Sequence, residues 1–253
     1  SNKWDFEGGW LYNISPRSTV KWYSVAQSIG INSQGVTPDG QPGNYKSHLS
    51  SKGIGLTGLT YKPWDQILIK VYNQYADNLF NTALLQAEYL QETGNRKLKA
   101  AFQYIRQDVV RNGGNEESDK TYFDERNKVN AFGARLGFEK NHWGTSFNYT
   151  RITKSGRFTM PREWGTEPFF TYLSRERAEG AGDENAIMAN FKAGLPHYHL
   201  RLEIGYGHYY LPHVEDAALN KYKLPSYRHI KAWADYEFKG TLEGLDIAML
   251  WIY

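Results

Sequence analysis

Gly156-Arg157-Phe158-Thr159-Met160-Pro161-Arg162-Glu163-Trp164-Gly165-Thr166-Glu167-Pro168-Phe169-Phe170-Thr171-Tyr172-Leu173-Ser174-Arg175-Glu176-Arg177 is not a strand, a helix or a short turn. It lies within residues 155–184, which end on the flexible run Gly180-Ala181-Gly182-Asp183. Pro161 and Pro168, with Gly156, Gly165, Gly180 and Gly182, break regular pairing. Phe158, Trp164, Phe169, Phe170 and Tyr172 nevertheless make the stretch too apolar to be a disordered segment in water. Long connections without secondary structure are functional or disordered. The aromatic content therefore implies an ordered loop packed inside something.

The sequence on either side says what that something is. Before the loop, Trp143, Thr145, Phe147 and Tyr149 alternate with Ser146 and Asn148; after it, Ala189, Phe191 and Ala193 alternate with Asn190 and Lys192. Period two is the signature of strands. Further out, Leu98, Ala100, Phe102 and Tyr104 alternate with Lys99 and Gln103, and Phe132, Ala134, Leu136 and Phe138 with Gly133, Arg135 and Gly137. Ile67, Ile69 and Val71 oppose Lys70, and Leu200, Leu202, Ile204 and Tyr206 oppose Arg201 and Glu203. Ile230, Ala232, Ala234 and Tyr236 oppose Lys231, Trp233 and Asp235. In all, the pattern predicts about twelve strands, including residues 4–14 and 20–30 as a first hairpin around Ser15-Pro16-Arg17-Ser18. Almost no helix is expected, apart from a short one within residues 214–221 and a turn in 76–81. Short and long connections alternate along the chain.

Alternating loop lengths and strands of about 10 residues, against about 5–6 in soluble sheets, describe an antiparallel up-and-down transmembrane β-barrel. One face, of Phe, Leu, Ile, Ala and Tyr, meets lipid; the other, of Arg, Lys, Gln, Asn, Glu and Gly, lines a watery lumen. Tyr and Trp near strand ends fit the interfacial girdles. A lipid-embedded sheet has to close, because open backbone edges are not tolerated there. The competing reading is a soluble β-sandwich, a lectin-like carbohydrate-binding module, in which the apolar face is a core. Composition agrees with the barrel: 253 residues hold 19 tyrosines, 12 phenylalanines and 8 tryptophans, at a mean hydropathy of −0.66. The absence of cysteine excludes disulfides, thiolate nucleophiles and cysteine-ligated metals. A net charge of +3 is too small and dispersed for nucleic acid binding. No run reaches the ~20 apolar residues of a membrane helix. With residues 4–14 and 20–30 as a hairpin, the first and last strands both put their free ends at the long-loop side. The expectation is a single barrel domain over residues 1–253 that lacks at least one strand at each end.

The loop resembles that of outer-membrane porins of the OprD type, in particular a Bacteroidetes-like branch. The resemblance is carried by Arg157-Phe158-Thr159-Met160-Pro161-Arg162-Glu163-Trp164-Gly165, by Glu167-Pro168-Phe169-Phe170-Thr171 and by Arg175-Glu176-Arg177. Tyr75-Ala76-Asp77-Asn78-Leu79-Phe80 and Leu219-Asn220-Lys221-Tyr222 add to it. It implies a barrel of roughly 18 strands in a bacterial outer membrane, about a third of it outside this chain. It also implies passive diffusion of small, carboxylate-bearing solutes past inward-folded loops and a ladder of basic residues.

A porin does no bond chemistry; pore width and lining charges set its selectivity. Strand parity places Lys70, Lys99, Arg135, Lys192, Arg201 and Lys231 on the lumen wall. Residues 155–184, as a lumen-inserted constriction, add Arg157, Arg162, Arg175 and Arg177, with Glu163 and Glu167 giving the opposite sign. An arginine keeps its charge and fits a carboxylate bidentately, and opposed charges at a constriction orient a zwitterion. Each wall cation could instead serve a structural ion pair with Glu88, Glu203, Asp235 or Glu237, and Trp164, Phe169 and Phe170 read as anchors for the loop. His197 and His199 share a strand face but find no third metal ligand, and Ser146 near His142 shows no activated arrangement. No enzyme activity, cofactor or metal is expected. The expected partners are outer-membrane lipid and a small-molecule solute; a homo-oligomer or a membrane protein partner is left open.

Overall fold

The computed structural model describes residues 3–16 and 19–253. Eleven strands form one antiparallel sheet in which each pairs with its neighbours in the chain. They are β1 (Trp4–Leu11), β4 (Ile54–Trp64), β5 (Ile67–Ala76), β6 (Phe80–Thr93), β7 (Arg96–Val109), β8 (Val129–Lys140), β9 (Trp143–Ile152), β10 (Glu184–Leu195), β11 (Leu200–Tyr210), β12 (Tyr227–Glu237) and β13 (Asp246–Ile252). The short β2 (Asn13–Ile14) and β3 (Tyr23–Ser24) pair only with each other, beside the one-turn helix α1 (Val25–Ser28). Residues 65–66, 94–95, 141–142, 196–199 and 238–245 turn the chain at one end of the sheet. Residues 12–53, 77–79, 110–128, 153–183 and 211–226 connect at the other, the long-loop end.

The two faces differ as the alternation requires. Phe102, Phe132, Leu136, Phe147, Ile187, Phe191, Ile204 and Met249 all point to one face and are all exposed, Leu136 at 63% and Phe147 at 66%. A soluble sandwich would bury this face as its core. A belt of this extent, continuous across the strands, is the lipid-facing surface of a membrane barrel. No helix among the described residues is long and apolar enough to cross a membrane. Aromatic pairs gather at the short-turn end: Trp4 stacks on Tyr61 at 3.8 Å, and Trp143 on Phe191 at 6.2 Å. The opposite, inner face carries Lys70, Gln86, Gln103, Arg135, Asn148, Asn190, Glu203 and Lys231. Its register follows from the ladders, for example Lys70 opposite Gln86 and Gln86 opposite Gln103.

Several expectations are corrected. Residues 20–30 do not add a strand to the sheet. Ser24 and Gln27 form a capping box, Ser24 Oγ accepting from the Gln27 N–H and Gln27 Oε1 from the Ser24 N–H, and this starts α1. Val25 and Ile29, which read as strand residues, are each 1% exposed in the core. The expected turn at Ser15-Pro16-Arg17-Ser18 extends over Arg17 and Ser18, which lie outside the described residues. The expected hairpin pairing is reduced to Asn13–Ile14 with Tyr23–Ser24, outside the main sheet; that sheet has eleven strands, and β1 ends at the long-loop end, opposite to the direction expected for it. β1 and β13 each pair on one side only, so the described sheet is open. Residues 214–221 form turns rather than a helix, because Asn220 Nδ2 donates to Pro212 O (3.2 Å) and Leu224 O (2.8 Å). His197 and His199 do not share a strand face: they sit in and after a 3-10 turn, with His199 at φ 52°.

The hydrophobic core lies at the long-loop end of the inner face. Ile54, Ala76, Phe80, Ile105, Val129, Ala131 and Ile152 supply its floor from six strands. Val25, Ile29 and Tyr45 from the first long connection, Tyr122 and Phe123 from residues 110–128, and Phe158, Phe169 and Ala178 from residues 153–183 close over it. Burial of this apolar surface holds these three connections in place where strand pairing cannot reach.

Candidate functional site

Residues 153–183 leave β9, cross the inner face and return to β10. The stem closes on itself: the Phe158 N–H donates to Ala181 O (2.8 Å) and the Gly180 N–H to Phe158 O (2.7 Å). The descending part is fastened by glutamines of β7. Gln107 donates from Nε2 to Thr159 O (2.8 Å) and accepts the Thr159 N–H at Oε1 (3.0 Å), while Gln103 Nε2 donates to Pro168 O (3.0 Å). Thr171 Oγ1 donates to Thr150 Oγ1 (2.8 Å), and Tyr209 OH to Thr171 O (2.7 Å). Gln103 stands six residues from the end of β7, so the loop reaches about 20 Å down the wall at ~3.3 Å per residue. Gly205 makes room at its lowest level: a Cβ there would lie 2.7 Å from Leu173 Cδ2. Trp164 stacks on Phe80 at 5.8 Å and donates from Nε1 to Ser28 Oγ (2.9 Å), and Phe158 meets Phe169 edge-on at 4.7 Å. These aromatics anchor the loop.

All but one of the loop's arginines are spent on fixing it. Arg157, 9% exposed, donates from Nη1 to Val36 O (2.8 Å) and Ala217 O (3.0 Å), tying three long connections together. Burial lowers its pKa, opposed by the charges of Glu179 and Asp124. Arg162 lies 4.4 Å over the Tyr222 ring, its Nε 3.7 Å from Glu179. Glu163 Oε1 accepts the Asn32 N–H (2.8 Å). Arg177 pairs with Glu167 at 3.5 Å and donates to Gly165 O. Of the four loop arginines only Arg175 is exposed, at φ 73°. None of Arg157, Arg162, Glu163, Glu167, Arg175 and Arg177 borders the two large clefts of the inner face. Sequence reasoning set them there because their partners, Tyr222, Val36, Ala217 and Asn32, are far away in the chain. Buried carboxyls complete this interior: burial first, and then the charge of Glu167, push Glu176 up to about 8. Glu176 accepts a hydrogen bond from Tyr227 OH (3.1 Å).

At the centre of the loop cluster Lys221 donates to Glu179 Oε1 (2.7 Å), and Tyr222 OH donates to Glu179 Oε2 (2.5 Å). The ammonium lies 4.9–5.2 Å from the rings of Tyr45, Tyr122 and Tyr222. Burial lowers the lysine's pKa, with Glu179 opposing it. Sequence reasoning singled out Leu219-Asn220-Lys221-Tyr222 without seeing this role.

The six wall cations all fall on the inner face, and five are paired with carboxylates. Lys70 meets Glu88 at 2.8 Å, Lys99 meets Glu139 at 2.5 Å, and Arg201 meets Asp235. Lys231 (2.9 Å) and Lys192 (3.8 Å) share Glu203. Arg135 has no carboxylate within salt-bridge distance among the described residues; its Nε donates to Asn148 Oδ1 (2.6 Å). Lys99, Arg135, Lys192 and Arg201 line one cleft of about 710 Å³ towards the short-turn end, with Glu139, Glu203 and Trp233. A second cleft of about 660 Å³ lies on the far side of the loop between Lys70, Tyr72, Leu84 and Gln107. The excess positive charge of the wall thus resides at Arg135 and at Lys192, the more distant of the two lysines on Glu203.

An open sheet of long meandering strands, apolar outside and charged inside, with a loop folded down its inner face, has solved counterparts. OccAB4 of Acinetobacter baumannii superposes with a TM-score of 0.75 at 14% identity, over 100% of this chain and 57% of its own. The fold is that of the OprD/Occ porins. OpdO of Pseudomonas aeruginosa shares the Occ-type fold with a TM-score of 0.73 at 14% identity, over 100% of this chain and 60% of its own. OpdK of Pseudomonas aeruginosa, solved with vanillate, gives 0.75 at 10% identity, over 99% and 59%. The chain therefore spans somewhat under two thirds of the length of these Occ-type structures. No family model and no curated protein matches its sequence.

Proposed function

We propose that this chain forms part of the wall, and the constricting loop, of an outer-membrane channel for passive diffusion of small carboxylate-bearing or zwitterionic solutes. The observation that carries this reading is the loop fastened at mid-wall to the charged face of a sheet whose other face is an exposed apolar belt. The loop narrows the path, and the wall supplies the charge. With Arg157, Arg162 and Arg177 engaged in the loop's packing and Arg175 away from both clefts, selectivity rests on Arg135 and Lys192, and the carboxylates Glu139, Glu203 and Asp235 beside them give the cleft both signs. That mixture suits a zwitterion and keeps an anion from being trapped. The vanillate carried by OpdK in its solved structure is an aromatic carboxylate, which makes it and its simpler relative benzoate natural first probes.

Lys192→Gln tests the assignment in the full-length protein. One unit charge at about 8 Å from a passing ion is worth about 0.5 kcal/mol in water, or about twofold. The anion-to-cation permeability ratio, read from reversal potentials in a planar bilayer, falls by about that factor. An unchanged ratio removes Lys192 from the conduction path.

A further inference from the structure

Arg135 differs from every other cation of the wall. Among the described residues it has no carboxylate partner, and two of its three contacts are with the loop. Its Nη2 donates to Phe170 O at 3.3 Å, its guanidinium lies 4.5 Å over the Phe170 ring, and its Nε is held by Asn148. Phe170 is 5% exposed and rests on the bare backbone of Gly133, where a Cβ would come within 3.3 Å of its ring. The same guanidinium lines the 710 Å³ cleft directly below the loop.

We infer that Arg135 is a positioning residue that couples the loop to the solute: a carboxylate entering the lower cleft takes the guanidinium from Phe170 and releases the loop there. This rests on reading the inner face as a pore wall. The bond to the Phe170 carbonyl is long for its type, and its acceptor is neutral. A carboxylate accepts two parallel, charge-assisted bonds from the same fork, each roughly twice as strong as a neutral one. Asn148 keeps Nε occupied, so the guanidinium stays in place while its Nη1 and Nη2 edge changes partner. The carbonyl of Phe170 gains water from the open cleft, and the remaining anchors at Gln103 and Gln107 keep the loop on the wall. The constriction then widens while an anion is present and narrows again when it leaves.

Single-channel recording of the full-length protein, in chloride and with added benzoate, tests this. The wild type is expected to dwell in a wider conductance state about tenfold longer at saturating benzoate, the ratio that exchanging a neutral for a charge-assisted pair supplies. Arg135→Lys keeps the charge but loses the fork and the ring contact. It is expected to lose the benzoate response. A second readout needs no change at Arg135: a spin label on Thr166→Cys, at an exposed loop position, becomes more mobile on adding benzoate and not on adding chloride. A wild type that conducts without responding to benzoate overturns the coupling alone, as does an Arg135→Lys channel that still responds, or a Thr166 label that does not. A wild type that forms no channel overturns the pore reading and the coupling together.

Discussion

Replacing residues 160–170 by a six-residue Gly-Ser linker in the full-length protein raises single-channel conductance severalfold and lowers its discrimination between small organic anions. The expectation follows from where the loop lies. Its segment from Thr159 to Thr171 is held to β7 at Gln107 and Gln103, to β8 at Arg135 and to β9 at Thr150, and so crosses the inner face rather than rising above it. The retained anchors at Gln107 and Thr150 lie two strands apart and four residues along the ladders, about 16 Å, which such a linker spans. The strand ladders do not use the deleted residues, so the sheet keeps its register. What is lost is Trp164 on Phe80 and Phe169 on Phe158, and with them part of the loop-end core. Conductance and selectivity that stay at wild-type values would mean that the loop is not the constriction, and would direct attention to residues 211–226.

Glu179→Ala is expected to loosen the whole long-loop cap. It strands the ammonium of Lys221, whose side chain is 5% exposed, and removes the acceptor of Tyr222 OH. Breaking a buried pair by removing one partner typically costs about 3–5 kcal/mol. Lys221 contacts Tyr45, Tyr122 and Tyr222, so the penalty falls on three long connections besides its own partner's loop. Limited proteolysis of the full-length protein in detergent should then cut residues 31–51 and 110–128 at least tenfold faster, the rate following the population of the open cap. The double variant Glu179→Gln with Lys221→Met removes both charges and is expected to restore much of the protection. Equal cleavage of wild type and Glu179→Ala would show that the pair does not hold the loops.

Much of this arrangement was legible in the sequence, and what was not has definite physical reasons. Strand parity is a local property, so Lys70, Lys99, Arg135, Lys192, Arg201 and Lys231 could be assigned to one face from alternation alone. Their partners could not, since pairing depends on register. Glu139 reaches Lys99 only because β7 and β8 are aligned with Lys97 opposite Glu139, and Glu203 lies between Lys192 and Lys231 only through two successive ladders. The loop was visible as apolar, Pro-containing and long. The direction of its arginines was not, because backbone carbonyls of Val36 and Ala217 leave no trace in a sequence. Residues 20–30 misled for a different reason. β-Branched Val25 and Ile29 favour strands in isolation, but the capping box of Ser24 and Gln27 and burial against the loop core decided for a helical turn. Gln103 and Gln107 were placed on the inner face, but their role as chief fasteners of the loop was not read. Two glutamines four apart on one strand, both facing inward, were the available signal.

Site-directed labelling is the most direct test of the central claim that one face of this sheet meets lipid and the other meets a water-filled lumen. The 253 residues contain no cysteine, so a single cysteine placed along β8 or β9 has no competitor within them, and the full-length protein without it gives the labelling background. In intact outer membranes, Gly137→Cys and Ser146→Cys on the inner face should react with a small water-soluble maleimide. Leu136→Cys and Phe147→Cys on the outer face should not, until detergent replaces the lipid. Rapid labelling of Leu136→Cys and Phe147→Cys in the membrane, with Gly137→Cys and Ser146→Cys protected, would contradict it.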